Sequence, residues 1–522
     1  MIWPTVVAAV IAAVAFLGLR LAPIWHQRKQ GCDAFNILLC AEALRRDRRL
    51  PPHIPDLFIL EDARQWYPPA FLVLCAAVPQ AWLKQCYWLF NQLVDVANAG
   101  ILFGVVVFYT HSAWLSVGAV LIYAICSGLV LEFAALTTRP LGLLVVNLLI
   151  FSGVLTMHHA SWAIVCIVCG VLLVYSHKLS AQLVWLAAPS IFIATGHWVW
   201  ASMVPSMYLF AFIVWPKGFR EIIRGHIAIV RFWGRNWPLL GAHAVRQSPI
   251  YGKGSVERWD YYSKWPKGAP IRFLKEILHQ NYFILPVATG ISGHLLMSEA
   301  QPWEHTNILL LLVAWISAAY AMAVLTHFMP ALRGIGLGLQ YIKFALLPCL
   351  GATSILLAQT GSFPIILVAI LALLLAIRQY VLVMRRLWRS RENIVGDGVS
   401  GELLQILEHI KADEHARTMV LPVQLCDLVA YWARRPVYWG THGQCFDSRL
   451  QQFFPVLCQT LSFFATDGNL TRLLLDTRYV AQTELGLSDE DLILQAGPYK
   501  LYRLAEVSSS DNQAVNKQIG RA

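Results

Sequence analysis

Charged residues almost vanish from the middle of this chain, and their scarcity limits the possible folds more than any motif does. Across residues 101–200, the Asp, Glu, Lys and Arg side chains are Glu132, Arg139 and Lys178 alone. The whole chain of 522 residues is 14% charged, whereas ordinary soluble proteins carry about 25%. A surface with so little charge faces lipid, so the sequence predicts a membrane protein and excludes a soluble enzyme or a disordered chain.

Apolar runs bounded by polar or turn residues predict eleven membrane-spanning helices. The run 181–215 is too long for one span, and Gly196 and His197 form the predicted turn within it. The first run lacks a basic flank, which favours a retained anchor over a cleaved signal peptide. The segment 68–82 is predicted to be a short interfacial helix. The predicted spans are 2–22, 87–109, 114–131, 140–157, 160–176, 181–195, 198–215, 279–298, 306–327, 340–358 and 363–384.

The net charge of +11 comes mainly from one loop. Residues 217–276 hold twelve Lys or Arg and four Asp or Glu, so this basic loop carries +8 of the total. Its cations alternate with Trp and Tyr in the stretches 231–238, 258–262 and 264–267. Such a mixture suits nucleic acid, lipid headgroups or a lipid-linked phosphate. Beside membrane spans the headgroup interpretation is favoured, and no nucleic-acid partner is expected.

An odd number of spans determines which loops share a face. If the N-terminus is cytoplasmic, the first loop (23–86), the basic loop and the C-terminal region all lie outside the cell membrane. The positive-inside rule argues the other way, because it would place the basic loop and the cluster of Arg385, Arg386 and Arg389 in the cytoplasm.

The chain divides by composition into a membrane domain, 1–387, and an extracytoplasmic α/β domain, 388–507, followed by a disordered tail, 508–522. Within the second domain, alternating elements are predicted. They are a strand at 418–423, a helix at 424–434, a short strand at 436–439, a helix at 450–464, a strand at 471–476 and a hairpin of 492–495 with 500–504.

Asp33 is the first candidate for chemistry. It follows the first span by about ten residues, at the start of an amphipathic stretch. A carboxylate partly desolvated at the membrane surface would have the raised proton affinity of a general base. The alternative is that Asp33 caps the helix that begins there.

Four other candidates lie near predicted span ends. Glu132 and Arg139 border a short turn, where ionisable groups are costly and often functional, although they could simply pair with each other. His177 and Lys178 could bind an anionic phosphate, or Lys178 could extend to the interface. Arg333 precedes a glycine-rich stretch, 334–338, and places a bidentate phosphate donor beside open backbone N–H groups.

The order of these residues resembles the GT-C superfamily of polytopic glycosyltransferases. The features that carry the resemblance are Asp33 after span one, a loop ending in the tetrapeptide 66–69, Glu132 with Arg139 after the third span, and Arg333 in the late glycine-rich segment. The chain looks most like bacterial members related to protein O-mannosyltransferases and aminoarabinose transferases. The resemblance covers residues 1–384 and rests on short motifs.

The resemblance implies an all-α polytopic membrane domain and an inverting glycosyltransferase. The donor would be a sugar on a polyprenyl phosphate, and the acceptor a lipid, glycan or protein at the outer face of the membrane. Asp33 would be the general base and Glu132 the second acidic residue. Arg139, His177, Lys178 and Arg333 would bind the donor phosphate.

No cofactor is expected. Asp33 is followed by Ala34 rather than by a second acidic residue, which makes a divalent metal doubtful, and no cysteine cluster has zinc-site spacing. Two alternatives remain: a ligase or polymerase that moves a whole glycan from a polyprenyl diphosphate, and a non-catalytic lipid or glycolipid transporter. Transporters tend to show inverted repeats, and no internal repeat is visible.

Overall fold

The structure is a computed structural model. It describes residues 2–25, 31–50, 52, 54, 56–59, 67–242, 269–296, 305–336, 338–389, 394–395, 399–422, 425–438, 440, 461–478, 482–485 and 487–504. The predicted tail, 508–522, lies outside these residues, as do the aromatic stretches 258–262 and 264–267 of the basic loop. Most of the predicted helix 450–464 also lies outside them.

Helices dominate the first three quarters of the chain because their sequences are apolar and rich in helix-forming residues. In order they are α1 (Ile2–Leu21), α2 (Gly31–Asp47), α3 (Ala70–Ala77), α4 (Gln80–Thr110), α5 (Ala113–Ile125), α6 (Ser127–Phe133), α7 (Arg139–Leu155), α8 (Trp162–Ser176), α9 (Lys178–Thr195), α10 (Trp198–Val214), α11 (Pro216–Ala242), α12 (Ala269–Gln280), α13 (Ile284–Leu296), α14 (Thr306–Phe328), α15 (Leu346–Thr360) and α16 (Phe363–Arg389). Two 3-10 helices, Pro330–Ile335 and Gly338–Ala345, join α14 to α15.

Membrane-spanning character is clearest in six segments of the described residues that are long and apolar enough to cross a bilayer. The remaining predicted spans correspond to shorter apolar helices, so the chain is a membrane protein and the count of eleven stays a prediction. The six long apolar segments are Trp3–Leu21, Gln80–Thr110, Lys178–Thr195, Thr306–Phe328, Gly338–Thr360 and Phe363–Trp388.

Two predicted spans differ from the helices observed. The run 114–131 breaks at Cys126, where the backbone turns extended and α6 begins in a new direction. The run 340–358 starts as the 3-10 helix Gly338–Ala345. By contrast, the predicted turn in 181–215 is confirmed: α9 ends at Gly196, whose φ of +69° suits glycine.

Of the predicted interfacial helix 68–82, only Ala70–Ala77 form the short helix α3, whereas residues 80–82 belong to α4. Pro69 precedes α3, and Val73 and Leu74 remain more than a third exposed.

In the basic loop, α11 and α12 are amphipathic. Ile227, Ile271 and Leu274 are exposed along these helices, as expected of helices that lie on a membrane surface.

The C-terminal region folds around a small mixed sheet. After the short pair β1 (Ile394–Val395) and β2 (Val399–Ser400), the strands are β3 (Thr418–Leu421), β4 (Arg472–Asp476), β5 (Leu492–Ala496) and β6 (Tyr499–Arg503). They follow the order β3-β4-β6-β5, with β3 parallel to β4 and the other pairs antiparallel. The helices between them are α17 (Gly401–Ala412), α18 (Cys426–Ala433) and α19 (Leu461–Gly468). The predicted α/β character and the closing hairpin are confirmed.

The sheet domain docks directly on the segment that follows α1. Val437 donates its N–H to the carbonyl of Leu57 at 2.9 Å and accepts from the N–H of Ile59 at 2.9 Å. The rings of Phe35 and Tyr431 lie 5.4 Å apart. The described part of the first loop and the C-terminal domain therefore lie against each other on one face of the molecule, while the odd number of spans and the outward orientation stay predictions.

Candidate functional site

Glu132 and Arg139 form an ion pair across a short non-helical turn. Glu132 lies in the last turn of α6, and Arg139 is the first residue of α7. Their side chains contact each other, which confirms the pairing that was one of the two sequence interpretations. Glu132 is 6% exposed and Arg139 is 31% exposed, so the carboxylate is enclosed while the guanidinium is still accessible.

Lys343 supplies a second cation that sequence reasoning missed. Its ammonium contacts the other carboxylate oxygen of Glu132. The 3-10 helix that carries Lys343 is anchored by Trp315 of α14, whose indole N–H donates to the carbonyl of Phe344 at 3.0 Å. A lone lysine at the start of a predicted span was the available signal, because ionisable groups there are functional candidates by default.

His177 lies beside this ion-pair cluster. It lines the same small cavity as Glu132, Arg139 and Lys343. Its Nδ1 accepts from the backbone N–H of Ser180 at 3.3 Å and caps α9. A cap of this kind satisfies one of the free N–H groups of a helix start, and it holds the imidazole in place next to the cations.

Gly142 permits the close approach of α7 to His177. A Cβ atom on Gly142 would lie 2.5 Å from the Cβ of His177 and 2.8 Å from the hydroxyl oxygen of Ser180. These contacts are too short for real carbon atoms, so a larger residue would separate the two helices. The glycine therefore brings the Arg139 helix and His177 together.

Lys178 is next to His177 but does not line the cavity. Among the described residues, it is paired with no acidic side chain. His226 of α11 faces it: burial, together with the Lys178 charge, lowers the pKa of His226 to about 3. His226 therefore places α11 of the basic loop beside Lys178.

The structure places Asp33 and Arg333 by their backbones only. Asp33 is the third residue of α2 and lies inside its first turn. The capping alternative requires a residue that precedes the helix. Arg333 lies in the 3-10 helix Pro330–Ile335, which packs against α11. The side chains of both residues lie outside the described part of the structure.

The glycines after Arg333 have a packing role. A Cβ on Gly338 would collide with the backbone oxygen of Ala323 in α14, and a Cβ on Gly336 would lie 2.7 Å from Leu179. Tyr341 donates its hydroxyl hydrogen to the side-chain oxygen of Gln182 at 3.0 Å. These contacts press the segment against α14 and α9 and carry Lys343 to Glu132.

The cluster has an excess of positive charge. One carboxylate faces two cations, so Glu132, Arg139 and Lys343 together carry a formal charge of +1. The cavity between them measures about 10 Å³, room for about one water molecule. An anion could enter only after Glu132 separates from Arg139 and Lys343. These two cations would then compensate the charge of the anion.

A divalent cation does not fit at Glu132. Its carboxylate is already neutralised by two positive side chains, which would repel a metal ion. Within the described segments, no group of three or more His, Cys, Asp or Glu side chains converges on a shared point.

The structure combines a helical membrane domain, which holds a buried ion-pair cluster, with an α/β domain docked on the segment after the first span. The oligosaccharyltransferase AglB of Archaeoglobus fulgidus has this fold. Its structure tethered to an acceptor peptide with an NVT sequon matches with a TM-score of 0.56 and 12% identity, over 91% of this chain and 69% of that one. Its complex with an inhibitory peptide and a dolichol-phosphate matches with a TM-score of 0.55 and 11% identity, over 91% and 69%.

No protein-family model matches the chain, and no curated protein matches it in sequence. At such low identity the structural likeness shows the fold alone. The chain therefore shares the fold of these oligosaccharyltransferase structures, while membership of the GT-C superfamily and the bacterial O-mannosyltransferase-like subtype stay predictions.

Proposed function

We propose that this protein is an integral membrane glycosyltransferase that takes a sugar from a polyprenyl-phosphate carrier. The acceptor is a lipid, glycan or protein, and the reaction occurs at the extracytoplasmic face of the cell membrane. The fold shared with the oligosaccharyltransferase structures supports the class of enzyme, and the net-positive cluster at Glu132 supports the phosphate-linked donor.

The cluster carries the proposal because a glycosyl phosphate leaves with negative charge. When the anomeric C–O bond breaks, the electron pair goes to the phosphate oxygen, which gains charge in the transition state. Preorganised cations stabilise such charge strongly in a site sheltered from water. Arg139 and Lys343 are the proposed phosphate-binding groups, with His177 beside them in the same cavity. Lys178, the next residue after His177, and Arg333, on the adjoining 3-10 helix, are the further candidates.

Asp33 is the proposed general base. The acceptor hydroxyl attacks the anomeric carbon as the phosphate leaves, its proton passes to Asp33, and the configuration inverts. Support comes from the position of α2, which follows the first span directly and contacts the C-terminal domain through Phe35 and Tyr431. Glu132 would act as the acidic group that keeps Arg139 and Lys343 oriented.

The test is an isosteric substitution with a matched control on the same helix. We expect Asp33→Asn to lower sugar transfer at least ~1,000-fold, because the acceptor proton loses its base while membrane insertion is unchanged. Asp47→Asn, at the exposed end of α2 where Asp47 pairs with Arg46, should keep the wild-type rate. Purified protein in liposomes would receive a radiolabelled polyprenyl monophosphate sugar, with membranes of the source cells as acceptor. Equal transfer by both variants would refute the role of Asp33.

A second candidate is transfer of a whole glycan from a polyprenyl diphosphate. It is favoured by the structural likeness to an oligosaccharyltransferase that is known with an acceptor peptide bound. The same liposome assay distinguishes the two, because the monophosphate and diphosphate donors are offered separately. A transporter would instead move a labelled polyprenyl phosphate across the bilayer without forming a product.

A further inference from the structure

Four polar side chains follow one face of α4 inside the membrane domain. Asn91, Gln92, Asp95 and Asn98 are all fully buried. Asn91, Asp95 and Asn98 follow one another at spacings of four and three residues, and Gln92 is three residues from Asp95, so the four lie along one broad face of the helix. Polar groups buried at this depth are costly unless they are hydrogen-bonded, so the face requires partners.

The first partner is the turn between α6 and α7, which separates Glu132 from Arg139. The carbonyls of Phe133, the last residue of α6, and of Ala135, in the turn, have no following helical N–H to accept from. Gln92 donates its side-chain N–H to the carbonyl of Phe133 at 2.8 Å, and Asn91 donates to the carbonyl of Ala135. The amides of α4 thus take the place of the missing backbone hydrogen bonds. Irregular backbone at membrane depth is tolerated only where protein groups satisfy it in this way.

The second partner is Arg20 of α1. Its Nη2 lies 3.2 Å from the Oδ2 of Asp95, and both side chains are fully buried. The hydroxyl of Tyr123 donates to the Oδ1 of Asp95 at 2.6 Å, and Arg20 donates to the carbonyl of Tyr123 at 3.2 Å. This network joins α1, α4 and α5 through one ion pair.

Arg20 also reaches the turn itself. Its guanidinium carbon lies 6.0 Å from the ring centre of Phe133, the residue after Glu132. It lies 5.3 Å and 5.2 Å from the ring centres of Phe16 and Tyr123. Aromatic faces stabilise a cation at such distances, so the ion pair is packed beside Phe133 at the end of α6.

We propose that the polar face of α4, locked by Arg20, positions the Glu132–Arg139 turn. Asn91 and Gln92 are positioning residues: they hold the backbone on both sides of Ala134 and thereby fix where Glu132 and Arg139 meet. Misplacement of a reacting group by about 1 Å can cost about 100-fold in rate. The kinetic part of this inference rests on the proposed glycosyl transfer, whereas its structural part does not.

Gln92→Leu is the direct test, and Gln359→Leu is its matched control. Gln359 of α15 is a half-buried amide, and neither of its side-chain polar atoms is hydrogen-bonded within the described part of the chain. The two variants therefore make the same chemical change, but only the first removes a support of the turn. In lipid nanodiscs, we expect amide hydrogen exchange across residues 133–139 to quicken at least ~10-fold in Gln92→Leu and to stay at the wild-type rate in Gln359→Leu.

The rate of sugar transfer is the second measurement. We expect Gln92→Leu to lower kcat about 100-fold while the donor KM changes less than about threefold, since the cations remain but are misaligned. Equal exchange and equal kcat in both variants would overturn the inference. If Gln92→Leu does not accumulate, Gln92→Met against Gln359→Met keeps the comparison. Accelerated exchange in a protein that transfers no sugar would refute the proposed function and support the positioning role.

Discussion

Lys343→Met is the substitution that most directly tests the phosphate site. It removes one of the two cations on Glu132 and lowers the charge of the cluster from +1 to neutral. Arg139 still pairs with Glu132, so the buried carboxylate keeps a partner and the protein should fold. The change therefore bears mainly on the binding of an anion.

The size of the expected effect follows from the burial of the site. Lys343 is 18% exposed and Glu132 is 6% exposed, so an intermediate effective dielectric constant of about 20 applies. At about 5 Å, one cation then attracts one phosphate charge by about 3 kcal/mol, which corresponds to about 100-fold in affinity or rate. We expect kcat/KM for the polyprenyl-phosphate donor to fall by about this factor.

The assay is donor-dependent transfer in liposomes, with two comparison variants. Lys343→Arg keeps the charge and should recover to within about tenfold of wild type. Lys411→Met removes an exposed lysine of α17 and should change kcat/KM by less than twofold. A Lys343→Met protein as active as Lys411→Met would refute the electrostatic reasoning.

Three further predictions concern pH, packing and metal. Burial of Glu42 raises its pKa, but hydrogen bonds from Arg434 and Gln80 outweigh this and leave the pKa lowered. The ionised carboxylate therefore stabilises the folded protein at pH values above the pKa of Glu42 in the unfolded chain. This stabilisation is lost as the pH falls through the lower pKa of Glu42 in the folded protein. Melting curves between pH 6 and pH 3 should therefore show a loss of stability in the wild type that Glu42→Gln lacks, and parallel curves would contradict the coupling. Gly338→Ala should destabilise the protein by about 1–3 kcal/mol, because its methyl group meets the Ala323 backbone. Gly100→Ala, inside α4 with open space around it, should not lower the melting temperature, since alanine favours a helix over glycine. EDTA should change the transfer rate by less than twofold, and a loss restored by a divalent ion would contradict the charge argument at Glu132.

Local sequence predicted what depends on local chemistry. The break at Gly196 was predictable because few residues other than glycine adopt positive φ at a helix end. The pairing of Glu132 with Arg139 was predictable because seven residues and one turn separate them in a stretch almost free of charge. The division of 114–131 at Cys126 was not, because a run that is apolar throughout gives no sign of an internal bend.

By itself, then, the sequence determined that the chain lies in lipid, that a turn falls at Gly196, and which charges are rare enough to matter. Only the tertiary structure brought Lys343 to Glu132, 211 residues away, and joined Arg20 to Asp95 beneath the same turn. The physical reason is that hydropathy records the cost of burying a charge, whereas the partner that offsets this cost is chosen by helix packing. Neither the lysine nor the ion pair has a spacing that encodes its partner, because the contacts depend on glycines that allow helices to approach and on amides that satisfy an irregular backbone.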